Sequence, residues 1–195
     1  MAENVLVDTK ANTPNDLEGL SDLDLIAAIN HGDAGAFEIV YFRYRDWVVS
    51  LAYRFTQDRD ASIDVLQETF LYVLRKFPGF KLTANFKTFL YPAVRNLSIA
   101  ARRKASKYQA SPAGIHELES AAVETSKPEC HDLEYLLSSL PLEQREVLLL
   151  RFVDDLSLAE IAEALAIPLG TVKSRLHNAL SALRADERTK KFFEH

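Results

Sequence analysis

One cysteine in 195 residues, Cys130, excludes an internal disulfide framework. Six glycines and seven prolines leave little turn chemistry for a sheet-rich chain, and no stretch alternates apolar and polar residues as a half-buried strand does. No apolar run approaches the length needed to cross a bilayer. The opening residues MAENVLVDTKANTPNDLEGL lack the basic start and apolar centre of a secretory signal. These absences predict a helical protein of the cytoplasm. They also remove several chemistries. No glycine-rich phosphate loop occurs, and no carboxylates form a recognisable acid–base pair. Cys130-His131 has too few ligands for zinc and no third group to orient a nucleophile. No metal, cofactor or catalytic activity is expected.

What is present is a divided charge. The chain carries a net charge of −5. From Thr69 to His116 there is no acidic residue, and nine basic ones occur: Arg75, Lys76, Lys81, Lys87, Arg95, Arg102, Arg103, Lys104 and Lys107. A basic segment inside an acidic chain marks a surface for a polyanion. It also holds Phe80, Phe86, Phe89 and Tyr91, and aromatics among cations can stack on unpaired bases, although Phe86, Phe89 and Leu90 are expected to pack inward. A solvated basic face gives the same composition.

Apolar residues make up 48% of the chain, enough for packed cores. Residues 1–19 are polar and predicted disordered. Ser21 and Asp24 form a capping pair that opens one helix, and Asp33 after Gly32 caps a second, rich in aromatics. A third spans about Ala61–Phe77, with Ile63, Leu66, Phe70, Val73 and Phe77 as its core stripe, and stops at Pro78-Gly79. A fourth begins near Phe86 and runs to about Lys107. These predict one helical domain over 20–106. A small, polar, acidic linker follows over 107–131, and a second helical domain over 132–188. In the second domain Pro141 is predicted at the first helical position of a helix that runs through Phe152. The fold class is all-α, two small helical domains on a flexible linker.

The stretch LSLAEIAEALAIPLGTVKSRLHNALSALR sets two short helices against a Pro-Gly corner. Leu158, Ile161, Ala162 and Leu165 share one face, after a capping box of Ser157 and Glu160. In the next helix Val172, Leu176, Ala179, Leu180 and Leu183 form the buried stripe. Ser174, His177, Asn178 and Ser181 point the opposite way, flanked by Lys173 and Arg175. A helix-turn-helix needs this arrangement, a braced second helix showing polar groups to a major groove. An ordinary αα-hairpin with a solvated face has the same spacing.

IPLGTVKSRLHNAL resembles the recognition helix in the fourth conserved region of bacterial sigma factors, and LSSLPLEQREVLLLRFVDDLSLAEIAEAL resembles the helices before it. DLDLIAAINHGDAGAFEIVYFRY resembles the start of that family's second region, DVLQETFLYVLRKF its polymerase-binding helix and NFKTFLYPAVRNLSIAARRK its promoter-melting segment. Both regions in order, with a short linker, resemble the extracytoplasmic-function group.

The resemblance implies an alternative sigma factor that binds core RNA polymerase and directs promoter-specific initiation. It assigns Asp64, Gln67, Glu68 and Leu71, at i, i+3, i+4 and i+7, to the polymerase clamp helices. It assigns Asn85, Lys87, Arg95, Asn96, Arg102 and Arg103 to the melted −10 strand, with the loop Lys81–Asn85 shaping a pocket for an extruded base. It assigns Thr171, Lys173, Ser174, Arg175, His177 and Asn178 to the −35 duplex. An anti-sigma factor is the further implied partner, and no small-molecule substrate is. The acidic linker residues Glu117, Glu119, Glu124 and Glu129 fit either nucleic-acid mimicry within the polymerase or a solvated tether. The chain departs from the family pattern at Phe89 (usually Trp), Pro92, Ala100 (often Asp) and Asn178 (often Arg). A kink or a later helix start is expected at Pro92. Asn178 favours adenine geometrically where Arg favours guanine.

Overall fold

The computed structural model describes residues 19–109, 137 and 139–186, and these contain seven helices and no strand. The expectations for residues 1–18, Cys130-His131 and the linker carboxylates fall outside them. The helices are α1 (Asp22–Asn30), α2 (Ala34–Thr56), α3 (Arg59–Leu74), α4 (Phe86–Gln109), α5 (Leu142–Phe152), α6 (Leu158–Leu165) and α7 (Leu169–Ala185). The chain divides into two compact units at residues 105/106.

In the first unit each of the first three helices opens on a side-chain cap. Ser21 and Asp24 form a capping box, Asp33 accepts from the Ala36 N–H at 3.1 Å, and Asp58 accepts from the Ala61 N–H at 3.0 Å. Such caps satisfy donors that a helix start leaves open, about 1 kcal/mol each. α1 ends at Gly32, whose φ of +90° a side chain would strain. There the Gly32 N–H donates to Ile29 O and the Asp33 N–H to Ala28 O, so the same turn that stops α1 delivers the cap of α2.

The core of this unit joins Leu25, Ile26 and Ile29 of α1, Val40, Tyr44, Val48 and Leu51 of α2, Val65, Leu66, Phe70 and Val73 of α3, and Phe86, Leu90, Tyr91 and Val94 of α4. Phe70 meets Tyr41 edge-on at 4.8 Å, and Tyr44 meets Phe86 at 4.9 Å. Ile63, predicted in the stripe of α3, is exposed instead. Ser62 and Thr69 take the buried positions. The Ser62 hydroxyl lies 2.9 Å from that of Thr56 and donates to Asp58 O at 2.5 Å, so a small polar residue is accommodated where α3 meets the end of α2. α4 starts at Phe86 and continues through Pro92, so the later start expected there does not occur. Pro92 is exposed, and it leaves the Thr88 carbonyl without the N–H that residue 92 would otherwise donate.

In the second unit Pro141 and Pro168 are the N-caps of α5 and α7. Pro141 therefore stands one position before the first helical residue, rather than at the first helical position predicted for it. Leu140, Leu148 and Ala179 form a core cluster, with Leu137, Leu176, Leu180 and Leu183 packed on it. Val147, Leu150, Leu156, Ile161 and Val172 are buried as well. The corner between α6 and α7 is not turned by glycine. Gly170 lies inside α7, and Ala166 adopts φ +52°. The Ala166 N–H donates to Glu163 O at 3.1 Å and the Ile167 N–H to Ala162 O at 3.0 Å. This is the bond pattern that ends α1, with alanine in the position glycine holds there. A left-handed alanine costs about 1 kcal/mol. Ala166→Gly is therefore expected to stabilise the second unit by about 1 kcal/mol, read as a higher urea midpoint; a lower midpoint would contradict the assignment.

Candidate nucleic-acid and polymerase interfaces

α3 presents an outer face opposite its core stripe. Asp64, Gln67 and Glu68 are exposed on it, and Leu71 is 44% exposed at its centre. Ile63 and Leu74 lie along one edge, also exposed. An apolar line beside carboxylates and an amide has the make-up of a protein interface, with an apolar centre and a polar rim. Sequence reasoning missed Ile63 and Leu74. Their exposure follows from which residues α2 covers, which periodicity does not reveal.

The basic segment divides once folded. Phe86 and Tyr91 are each 1% exposed and belong to the core, so they cannot stack on bases. Phe80 and Phe89 are half-buried, with ring centroids 4.5 Å apart. Tyr72 of α3 stacks on Phe89 at 5.9 Å with planes 20° apart, and the Lys76 ammonium lies 4.8 Å from the Tyr72 ring. Tyr72 is thus the exposed outer ring of an aromatic row for which the basic segment offered only Phe80, Phe86, Phe89 and Tyr91. The one local signal was its spacing, Tyr72 and Lys76 being one helical turn apart.

Along α4, Arg95, Asn96, Arg102 and Arg103 fall within an arc of about 120° at 100° per residue. Asn96, Arg102 and Arg103 are exposed and Arg95 is half-buried. Pro92 lies in the same arc, its ring toward solvent. Lys87 is half-buried, with its ammonium 5.8 Å from the Trp47 ring. Asn85 is exposed, and its side-chain oxygen accepts the Lys87 N–H at 2.9 Å, which fixes the approach to α4.

Near the other edge of α2, Tyr44 donates its hydroxyl to Asp22, which also receives Arg43 at 2.7 Å. Burial, then the Asp22 bond and charge, hold the Tyr44 hydroxyl well above its ordinary range; Arg43 pulls the other way. This group ties α1 to α2 and stays protonated through the physiological range.

On α7 the buried line is Val172 and Ala179, supported by half-buried Leu176, Leu180 and Leu183. Ser174, His177, Asn178 and Ser181 are exposed opposite them. Lys173 is exposed on one flank, and half-buried Arg175 and Thr171 lie toward the other. The Ser174 hydroxyl donates to Thr171 O at 3.0 Å, leaving its lone pairs outward as acceptors. Pro168 supplies no side-chain cap, but its carbonyl accepts the Thr171 N–H at 2.9 Å and the Val172 N–H at 3.2 Å, which closes the first turn of α7.

No group of three or more His, Cys, Asp or Glu side chains among the described residues could hold a metal. No described helix is long and apolar enough to cross a membrane.

Residues 40–108 match the family model "Sigma-70 region 2" and residues 130–183 match "Sigma-70, region 4". The chain is 31% identical over 173 residues to the ECF RNA polymerase sigma factor SigW of Bacillus subtilis, covering 82% of this chain and 92% of that one. It is 33% identical over 180 residues to the ECF RNA polymerase sigma-E factor of Escherichia coli K12, covering 85% and 94%. Among solved structures, CnrH in complex with the cytosolic domain of CnrY matches with a TM-score of 0.62 at 22% identity, over 84% of this chain and 95% of that one. RpoE from Bartonella quintana in complex with the anti-sigma factor NepR matches with a TM-score of 0.56 at 22% identity, over 77% and 98%. At that identity the two structures speak for the fold alone. The region models and the sequence relatives place this chain in the extracytoplasmic-function family of RNA polymerase sigma factors.

Proposed function

We propose that this sigma factor divides promoter recognition between its units. The outer face of α3, through Asp64, Gln67, Glu68 and Leu71, docks on the polymerase clamp. Asn85, Lys87, Arg95, Asn96, Arg102 and Arg103 hold the melted −10 strand. Thr171, Lys173, Ser174, Arg175, His177 and Asn178 meet the −35 duplex. The protein works in the cytoplasm and catalyses nothing itself; the polymerase does the chemistry. An anti-sigma factor, like the partner seen with the Bartonella quintana protein, holds it inactive.

The observation that carries this division is the polar outer arc of α7. It has acceptors and donors at its centre and a cation on each flank, standing on a buried Val172–Ala179 line. Cations fix register on phosphates, and the central side chains read base edges.

Run-off transcription with core polymerase and a genomic fragment library tests it. Wild-type protein is expected to start transcription at a set of sites, and mapping the transcripts' 5′ ends and aligning the DNA upstream of them returns both promoter elements. Lys173→Ala and Arg175→Ala should each weaken −35 duplex binding and lower the salt slope by about 1, so the deficit is largest at low salt. Failure to initiate anywhere would refute the proposal. Initiation insensitive to both substitutions would remove α7 from −35 recognition.

A further inference from the structure

The loop between α3 and α4 is held from a distance by a residue with no assigned role. Asn30, the last residue of α1, is half-buried. Its side-chain oxygen accepts the Gly79 N–H at 2.6 Å and the Phe80 N–H at 3.1 Å. Its amide nitrogen donates to Phe80 O at 2.8 Å. Two backbone donors on one atom and a carbonyl on the other fix the orientation of the amide. Gly79 sits at φ +100°, where a side chain would be strained, so the chain can present these groups only with glycine there.

The clamp closes one end of the loop. Beyond it the Phe80 ring lies against Phe77 at 5.5 Å and Phe89 at 4.5 Å. At the other end, Asn85 accepts the Lys87 N–H and Phe86 is buried. Between these anchors residues 81–84 have no helical or strand pairing, and Lys81 and Thr83 are exposed. An irregular segment pinned at both ends keeps one path; released at one end it samples many.

We propose that Asn30 is a positioning residue for −10 base selection. It touches no DNA and acts by setting where Phe80 and the loop 81–85 stand. This rests on the assignment of that loop to the extruded base. Aspartate would keep an acceptor for both N–H groups and lose the donor to Phe80 O. Alanine would lose all three bonds. Glutamine would overreach by a methylene.

The test uses full-length protein assembled with core polymerase. Wild-type run-off first gives the −10 sequence. Fluorescent single strands carrying it, and the same strand with each −10 base replaced in turn, are then titrated against holoenzymes with wild-type protein, Asn30→Ala and Asn30→Asp. Asn30→Ala is expected to lose about tenfold in discrimination at the base seated in the loop, roughly the loss of one well-placed hydrogen-bonded contact. Asn30→Asp should fall between. Core assembly and −35 duplex binding should stay within about twofold, as distant sites do. Unchanged discrimination in Asn30→Ala overturns the proposal. So does a loss in both variants that is uniform over every strand and over core assembly, since that assigns Asn30 to the fold alone. Wild-type protein that binds every strand alike refutes the loop assignment itself, and the positioning role with it.

Discussion

Val172→Asp is expected to unfold the second unit and leave the first standing. Val172 is 0% exposed, in the first turn of α7, and its outward neighbours Lys173 and Ser174 face away from it. An ionised carboxylate there has no partner, and burying it costs several kcal/mol or forces the helix off its support. A helical unit of about 50 residues has only a few kcal/mol to lose. Calorimetry should show one transition retained and one gone, and circular dichroism a partial loss of helix. The retained transition is the informative part, because the chain divides into two compact units at residues 105/106. Transcription dependent on the −35 element should fall by about 1,000-fold or more, as expected for loss of specific over non-specific DNA binding. Ser174→Asp supplies the contrast. The same charge at an exposed position should leave both transitions in place and lower DNA binding alone. Loss of both transitions in Val172→Asp would show that the two units stand or fall together.

The helix-turn-helix was legible because its signals are local. A serine followed by glutamate three residues on, and apolar residues at helical spacing, specify α6 and α7 without reference to the remainder of the chain. The corner between them was misassigned for the same reason. Glycine is the usual mark of a left-handed residue, yet Gly170 is helical and Ala166 carries the turn. The basic segment was legible as charge and illegible as surface. Phe86 and Leu90 are expected inside and lie there, but nothing near Tyr91 in sequence says that it fills the core. Phe86 is buried because Tyr44, on another helix, meets it. Tyr72 came to light by the same route, through its stack on Phe89. The Asn30 clamp joins residues 50 positions apart, and a single asparagine at a helix end carries no pattern that would reveal such a reach. Local bonding and periodicity were readable, and pairings across the fold were not.

Leu71→Glu tests the remaining face with an expected loss of roughly 30-fold in affinity for core polymerase, the size of a central apolar hot spot near 2 kcal/mol. Leu71 lies in the middle of the exposed side of α3, with Gln67 before it and Glu68 beside it. Its side chain contributes little to the fold, so the substitution should shift stability by no more than about 0.5 kcal/mol. Glutamate favours helix almost as well as leucine, so α3 itself is not weakened. The two readouts therefore separate: unfolding midpoint unchanged, polymerase binding reduced. Double substitution with Glu68→Lys sharpens the result. If the partner surface is basic, reversing Glu68 costs further affinity, and that share shrinks as salt rises, whereas the Leu71 share persists. Polymerase bound equally well by both variants would move the docking surface off α3. The exposed Ile63 and Leu74 would then need another explanation, because an apolar line of this kind on a helix is otherwise paid back only in aggregation.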